Sequence, residues 1–166
     1  MLTHPIPPVF DGNSRVLILG SFPSVKSREA QFFYGHPQNR FWRVLSALFG
    51  EEAGETTAQK TAFLLRHHLA LWDVIAACEI EGSADSTIKN AVPTDLSVIL
   101  RKGQIARVFT NGKTADRLYR QYQLPQTGIA AVCLPSTSPA NAQWSFARLC
   151  EAWQAIAAAA DETVLL

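Results

Sequence analysis

Short apolar runs recur along the chain and predict buried β-strands. The four runs are Arg15–Gly20, Leu69–Ile75, Ala106–Thr110 and Ile129–Leu134. Continuous apolar character without strict alternation is typical of parallel strands that are covered on both faces. The pattern therefore predicts four strands of one buried sheet.

The segments between these runs carry apolar residues at helical spacing. We expect helices at Arg40–Phe49, Thr57–His68, Pro93–Leu100, Lys113–Gln121 and Asn141–Ala160. Pro93 is placed first in its helix because proline is tolerated at that position. Strands that alternate with helices favour a parallel sheet with helices on both sides. Without repeats, linkers or low-complexity tracts, residues 1–166 are predicted to form a single domain, in which Glu79–Asn90 is a functional or mobile loop.

Composition narrows the class of protein without identifying a partner. The chain of 166 residues is 48% hydrophobic and 17% charged with a net charge of +1, which indicates a folded domain and no bulk basic surface for nucleic acid. Three widely spaced cysteines without a CxxC pair make a zinc site or a disulfide framework unexpected. The first residues lack a signal-peptide pattern and no apolar run is long enough to span a bilayer, so we expect a cytoplasmic protein.

The first candidate site is the loop that follows the first predicted strand. It consists of Gly20, Ser21, Phe22, Pro23 and Ser24. The loop lacks the glycine spacing and lysine of a P-loop, and GxGxxG is missing. Taken alone, it is equally well a strand-to-loop turn without function.

Aromatic and amide side chains follow that loop. Phe32, Phe33 and Tyr34 are consecutive, so at least one of them is expected to line a cleft, where an aromatic face can stack on a base. Asn39 is either only a cap of the next helix or also an amide that reaches a ligand. His36 is either a hydrogen-bonding residue or a group that titrates near neutral pH.

A second small-residue loop, Leu134–Asn141, follows the last predicted strand. It contains Ser136, Thr137, Ser138 and Asn141, which either bind phosphate or only cap the following helix. Asn111 ends another strand, where it is a turn residue or an amide that reads a base edge. Both loops follow strand ends, where open α/β sheets bind ligands. A Ser/His/Asp triad is not favoured because GxSxG is missing.

Four motifs together resemble the uracil-DNA glycosylase superfamily, and most closely its hypoxanthine-DNA (deoxyinosine) glycosylase branch. They are GSFPS at 20–24, FFYGHPQNRFW at 32–42, FTNGKTA at 109–115 and LPSTSPAN at 134–141. The resemblance spans roughly residues 14–160. It implies a three-layer α/β/α sandwich around a central, mostly parallel four-stranded sheet. It also implies that a deaminated base is removed from DNA by hydrolysis, without a metal or an organic cofactor.

The chain departs from related branches at Phe22. The mismatch-specific thymine/uracil branch has an asparagine in its first loop that positions the attacking water, and the uracil-specific branch has an aspartate there. A phenylalanine can neither orient nor deprotonate water. The resemblance to the deoxyinosine branch offers Asn39 as the replacement.

The resemblance suggests a role for each remaining candidate. Gly20–Pro23, Tyr34 and Asn111 would bind the base, and His36 would assist the leaving group. DNA phosphates and the duplex would be contacted by Ser24, Arg40, Lys113, Ser136, Thr137, Ser138 and Asn141. No lysine is placed as a Schiff-base nucleophile, which predicts a monofunctional enzyme. We also expect the protein to be a monomer with no membrane partner.

Other functions remain compatible with these residues. The chain could act on uracil or on mismatches, or bind DNA or nucleotides without catalysis, as Phe22 would favour. The neutral net charge is also compatible with an enzyme acting on a free nucleoside or nucleotide.

Overall fold

Four parallel strands form the central sheet of the computed structural model, which describes residues 1–164. They are β2 (Val16–Gly20), β3 (Leu69–Asp73), β6 (Arg107–Asn111) and β7 (Ala131–Leu134), in the order β3-β2-β6-β7. All three pairings are parallel. The four apolar runs of the sequence are therefore confirmed as the strands of one sheet.

A second sheet was not predicted from the sequence. It has three antiparallel strands, β1 (Leu2–Thr3), β4 (Ile75–Glu79) and β5 (Lys89–Pro93), in the order β1-β4-β5. The helices are α1 (Val25–Ala30), α2 (Phe41–Phe49), α3 (Thr57–Arg66), α4 (Ser97–Lys102), α5 (Lys113–Leu118), α6 (Leu124–Thr127) and α7 (Phe146–Val164). A 3₁₀ turn covers Asp85–Thr87, and a π-helical turn at Tyr119–Gln123 joins α5 to α6. No helix within residues 1–164 has the length and apolar character to cross a membrane.

Both faces of the central sheet are buried, as the continuous apolar runs predict. Val16 and Ile18 of β2 point into a core with α2, α3 and α7. Leu17 of the same strand points into a second core, to which α4 and α5 contribute Ile99 and Leu118. Alternate residues of a strand face opposite sides of the sheet, so one strand contributes to both cores. The predicted three-layer α/β/α arrangement is confirmed.

Two predicted helix starts are wrong. Pro93 ends β5, where it lies opposite Ile75, and α4 begins only at Ser97. The last helix begins at Phe146 instead of Asn141. The Arg40 guanidinium donates hydrogen bonds to the backbone carbonyls of Asn141 and Trp144, which hold this segment as a loop. Both errors come from partners distant in sequence, which local periodicity does not report.

The strand order places a crevice between β2 and β6. The chain passes from β2 to β3 on one side of β2, and later to β6 on the other side. At such a reversal the connecting segments leave the sheet in opposite directions and open a crevice at the carboxyl ends of the strands. Those ends are Asp73, Gly20, Asn111 and Leu134. The fold therefore brings together the two loops that the sequence singled out.

Gly20 is required by the close approach of two side chains at the end of β2. A β-carbon at this position would lie 2.4 Å from Asp73 Oδ1 and 2.9 Å from the Tyr34 hydroxyl. Both distances are too short for a real contact. The absence of a side chain at residue 20 thus lets both Asp73 and Tyr34 approach the end of the strand.

We expect Gly20→Ala to destabilise the fold by about 1–3 kcal/mol, because the added methyl group overpacks a site whose neighbours are held in place. Urea unfolding measures the change. Gly12→Ala is the matched control, since its β-carbon would meet nothing closer than the Lys102 carbonyl at 3.7 Å. Equal stability of the two variants would contradict the close approach at Gly20.

Candidate active site

The first loop is tied down by hydrogen bonds on both sides. The carbonyl groups of Gly20 and Ser21 accept backbone hydrogen bonds from Val74 (2.8 Å) and Ile75 (3.1 Å). Ser24 is the N-cap of α1, and its hydroxyl accepts from the Ser27 N–H at 3.1 Å. The capping role fixes the end of the loop, so the Ser24 hydroxyl is already engaged.

Phe22 is packed into the protein interior. Its side chain belongs to the second core, and the residue is 7% exposed. The His4 ring meets it edge-on at 5.8 Å, and the Arg28 guanidinium lies over its ring at the same distance. The ring therefore shapes the loop from inside and presents little surface to a ligand, and its predicted part in binding the base stays a prediction.

Tyr34 occupies an unusual backbone conformation at the crevice. Its φ of 53° lies in the left-handed region, which non-glycine residues seldom adopt. Its ring stacks on Phe41, with centroids 4.0 Å apart and 20° between the planes. The hydroxyl is buried and has no hydrogen-bond partner among the described residues. Burial, and after it the Asp73 carboxylate, raises the pKa of Tyr34, so the hydroxyl remains a donor at neutral pH.

The HPQN segment leads directly into α2. His36 is half-buried, and its Nδ1 accepts a hydrogen bond from the Gln38 N–H at 3.1 Å. Asn39 Oδ1 accepts from the Phe41 N–H at 2.9 Å, which closes a turn just before α2. The N-cap of this helix is Arg40, without a side-chain cap, so the prediction that Asn39 caps the helix is wrong. Arg40 continues the link to the second loop, because its N–H donates to the Thr137 carbonyl at 3.1 Å.

Thr137 joins the two loops and the end of β6. Its hydroxyl donates to Asn39 Oδ1 at 2.9 Å and accepts from Asn111 Nδ2 at 3.0 Å. Its backbone N–H donates to Asn111 Oδ1 at 3.0 Å. The residue is 0% exposed. The structure thus brings together three predicted site residues, and the Thr137 hydroxyl is buried between the two amides, away from solvent.

The rest of the second loop is organised by its own side chains. Ser136 Oγ accepts from the Ser138 N–H at 3.1 Å, and Ser138 Oγ accepts from the Ala140 N–H at 3.2 Å. Asn141 Nδ2 donates to the Ser136 carbonyl at 2.9 Å. Lys113 is exposed at the first position of α5. Among the predicted phosphate contacts, this lysine is the most accessible cation, whereas Arg40 is occupied by loop carbonyls.

The sequence reasoning missed three residues near the first loop, which are His4, Asp73 and Asp85. His4 Nδ1 accepts from the Ile6 N–H, so its Nε2 carries the proton and donates to Asp73 Oδ2 at 2.7 Å. Ser21 Oγ donates to Asp85 Oδ1 at 2.9 Å. A carboxylate at the end of an apolar strand was a signal for Asp73. Nothing local marked His4, which the pairing of β1 with β4 brings into the core.

Asp85 is a carboxylate held in an unfavourable environment. Burial raises its pKa, the Ser21 hydrogen bond opposes the rise, and the nearby Asp73 carboxylate adds to it. A raised pKa in the folded state means that ionisation of this group opposes folding. Its contribution therefore favours the fold below the ordinary aspartate range and is lost as the pH rises through the folded-state pKa.

We expect Asp85→Asn to raise the melting temperature at pH 7.5, because asparagine removes the buried charge and still accepts the Ser21 hydrogen bond. At pH 4 the raised pKa leaves more of Asp85 protonated than at pH 7.5, so the gain should shrink. Asp95→Asn is the control, since the Ser97 hydroxyl lowers the pKa of exposed Asp95 and no gain is expected. A gain of the same size at both pH values would contradict the buried charge.

The described residues contain neither a cluster of metal-ligating side chains nor a thiol with a lowered pKa. Among the described residues, no group of three or more His, Cys, Asp or Glu side chains is arranged to hold a metal ion. Burial raises the pKa of each cysteine thiol, Cys78, Cys133 and Cys150, which is opposite to the shift that activates a nucleophile. The crevice instead offers amides, hydroxyls, aromatic faces and buried carboxylates, which suit binding a polar heterocycle and a water molecule.

Known proteins are similar in sequence to this chain along most of its length. The family model described as the uracil DNA glycosylase superfamily matches residues 7–157. A hypoxanthine DNA glycosylase from Methanosarcina acetivorans is 36% identical over 160 residues, which cover 94% of this chain and 98% of the relative. A hypoxanthine DNA glycosylase from Methanosarcina barkeri is 35% identical over 139 residues, covering 81% and 85%.

The fold agrees with this relationship. A solution NMR structure of a candidate uracil DNA glycosylase from Methanosarcina acetivorans matches with a TM-score of 0.78 at 31% identity. The match covers 95% of this chain and 99% of the other. The matched residues include both loops and the strand ends between them. Because the family model matches residues 7–157 and a relative is 36% identical over 94% of the chain, the chain belongs to the uracil DNA glycosylase superfamily.

Proposed function

We propose that this protein removes hypoxanthine from DNA by hydrolysing the bond between the base and its deoxyribose. Two relatives that match most of the chain carry the name hypoxanthine DNA glycosylase. The observation that carries the proposal is the meeting of Asn39, Thr137 and Asn111 at the crevice. It places an amide from the HPQN segment beside the strand end where a flipped base would bind, while Phe22 is packed away.

The reaction breaks the bond between C1′ and N9 of deoxyinosine and forms a bond between C1′ and a water oxygen. The electron pair of the broken bond leaves with the base, which gains a proton, and the attacking water loses one. Positive charge builds on the sugar and negative charge on the base. The protein must therefore extrude the base, place a water and supply hydrogen-bond donors to the departing ring. An amide suffices for the water, because the sugar cation is itself strongly electrophilic.

In this proposal Asn39 orients the water and His36 assists the departing base. The backbone of Gly20–Pro23, together with Tyr34 and Asn111, holds the base in the crevice. The buried Tyr34 hydroxyl without a partner supports this role, because a base carbonyl would give it an acceptor.

In this proposal the solvent-accessible residues of the site contact the DNA phosphates. Exposed Lys113 and the half-buried Ser136 and Ser138 lie on segments that border the crevice. Arg40 and Thr137 support the second loop from inside, and Ser24 supports the first. Residues 141–143 complete that loop and would enter the gap left in the duplex by the flipped nucleotide.

The reaction does not call for a lysine nucleophile, and we propose a monofunctional glycosylase without strand-cleaving activity. The protein would act as a monomer in the cytoplasm, on the DNA of the nucleoid. An abasic site should therefore accumulate intact until alkali cleaves it.

Excision from a panel of duplexes tests the function. Duplexes that each carry hypoxanthine, uracil, xanthine or only normal bases are incubated with the protein, and abasic sites are cleaved with alkali. We expect hypoxanthine to be released fastest and adenine not at all. Faster release of uracil would indicate a uracil-directed enzyme. DNA binding without release of any base would indicate a binding module, and hydrolysis of free inosine alone would indicate a nucleoside enzyme.

Asn39→Ala should lower the single-turnover rate of hypoxanthine release by about 100-fold or more, because a misplaced reactant costs about that factor. Its affinity for the duplex should change little, since the side chain contacts no phosphate in this proposal. Single-turnover kinetics and a fluorescence binding assay measure the two quantities. Wild-type turnover by the variant would remove Asn39 from the mechanism.

A further inference from the structure

The hydrogen bonds around Thr137 determine which way the Asn39 amide faces. A backbone N–H can only donate, so the Asn39 atom that meets the Phe41 N–H at 2.9 Å is the oxygen. The same reasoning identifies the Asn111 atom that meets the Thr137 N–H at 3.0 Å as an oxygen. Two backbone groups thus assign both amides without reference to a bound ligand.

The direction of the remaining bonds follows. Because Asn111 Oδ1 faces the Thr137 N–H, Asn111 Nδ2 donates to Thr137 Oγ1 at 3.0 Å. The hydroxyl proton of Thr137 is then directed to Asn39 Oδ1 at 2.9 Å. The side-chain hydrogen bonds therefore all point in one direction, from Asn111 through Thr137 to Asn39.

Within the part of the chain that the structure describes, only the amino group of the Asn39 side chain is free to hydrogen-bond to a ligand. Its oxygen accepts two hydrogen bonds, from Phe41 and Thr137, which match its two lone pairs. Its Nδ2 has no hydrogen-bond partner within residues 1–164, and the side chain is half-buried. The part of Asn39 that remains available to a ligand is therefore the amino group.

We propose that Thr137 is a positioning residue that turns the Asn39 amide so that Nδ2, and not the carbonyl oxygen, faces the reacting centre. The inference rests on the proposed function and specifies how its central residue acts. Asn39 then holds the attacking water by donating to one lone pair of its oxygen, while the other lone pair is directed at C1′. Asn39 places the water and does not take its proton.

The surroundings of Thr137 suit a positioning role. The residue is 0% exposed, and its carbonyl accepts from the Arg40 N–H at 3.1 Å. Every polar atom of Thr137 is thus used within the protein. A buried network in which each member is satisfied holds its side chains in one arrangement, which is what a fixed water position requires.

Asn39→Asp tests the orientation of the amide. Aspartate keeps an oxygen toward Phe41 and Thr137, but it replaces the amino group with a second acceptor of nearly the same size. We expect about a 100-fold loss in the single-turnover rate, as large as that of Asn39→Ala. An aspartate variant with wild-type or higher activity would overturn the inference, because it would show that an acceptor serves at this position.

Thr137→Val tests the positioning role. Valine keeps the shape of the side chain and removes the hydroxyl, so we expect the single-turnover rate to fall about 100-fold while duplex affinity stays within twofold. Thr137→Ser restores the hydroxyl and should recover most of the rate. An active Thr137→Val, or an inactive Thr137→Ser that is folded, would overturn the proposal.

Thr110→Val is the matched control for lost stability. Thr110 is equally buried, and its hydroxyl donates to Asp116 Oδ1 at 3.0 Å, away from Asn39. It should lower the melting temperature and leave the rate unchanged, whereas an equal loss of rate in both valine variants would overturn the positioning role.

If the wild-type protein released no base, the proposed function itself would fail. Wild-type release together with an active Asn39→Asp would refute only the inference.

Discussion

The architecture of the site depends on one buried threonine. Thr137 hydrogen-bonds to Asn39 in the segment before α2 and to Asn111 at the end of β6, so three stretches of chain far apart in sequence share one set of hydrogen bonds. Two backbone N–H groups orient the amides of Asn39 and Asn111, and the threonine hydroxyl accepts from one amide and donates to the other. A crevice at a reversal of strand order is a common property of open α/β sheets. The threonine makes this crevice a defined arrangement of side chains.

On the other side of the crevice lie two acidic side chains, the buried Asp73 and the half-buried Asp85. Asp73 is held by His4 and lies against Gly20, and Asp85 is held by Ser21 of the first loop. Burial raises the pKa of Asp85, and the charge of Asp73 adds to this rise. A carboxyl group whose pKa is shifted in this way is found more often at functional sites than elsewhere.

Local patterns were sufficient for the central sheet and for most helices that flank it. Apolar runs such as Arg15–Gly20 predicted buried parallel strands because burial on both faces leaves no polar positions in them. The helix expected at Pro93 and the early start expected for α7 were wrong, since Ile75 and the Arg40 guanidinium hold those segments in other conformations. The strands β1, β4 and β5 escaped prediction, because most of their residues are exposed or half-buried and they form only by pairing with one another.

The sequence by itself determined the class of sheet, the two loops after its strands, and the motifs that place the chain in its superfamily. It also singled out Asn111, as an amide at a strand end, and Asn39, as an amide before a helix in a motif that the family resemblance marks. Only the tertiary structure decided what each side chain can offer. Phe22 turned inward against His4, Thr137 became the link between the two amides, and the amino group of Asn39 was left available. Hydrogen-bond direction and burial are set by partners many residues away, and a residue type does not reveal which of its atoms those partners will occupy.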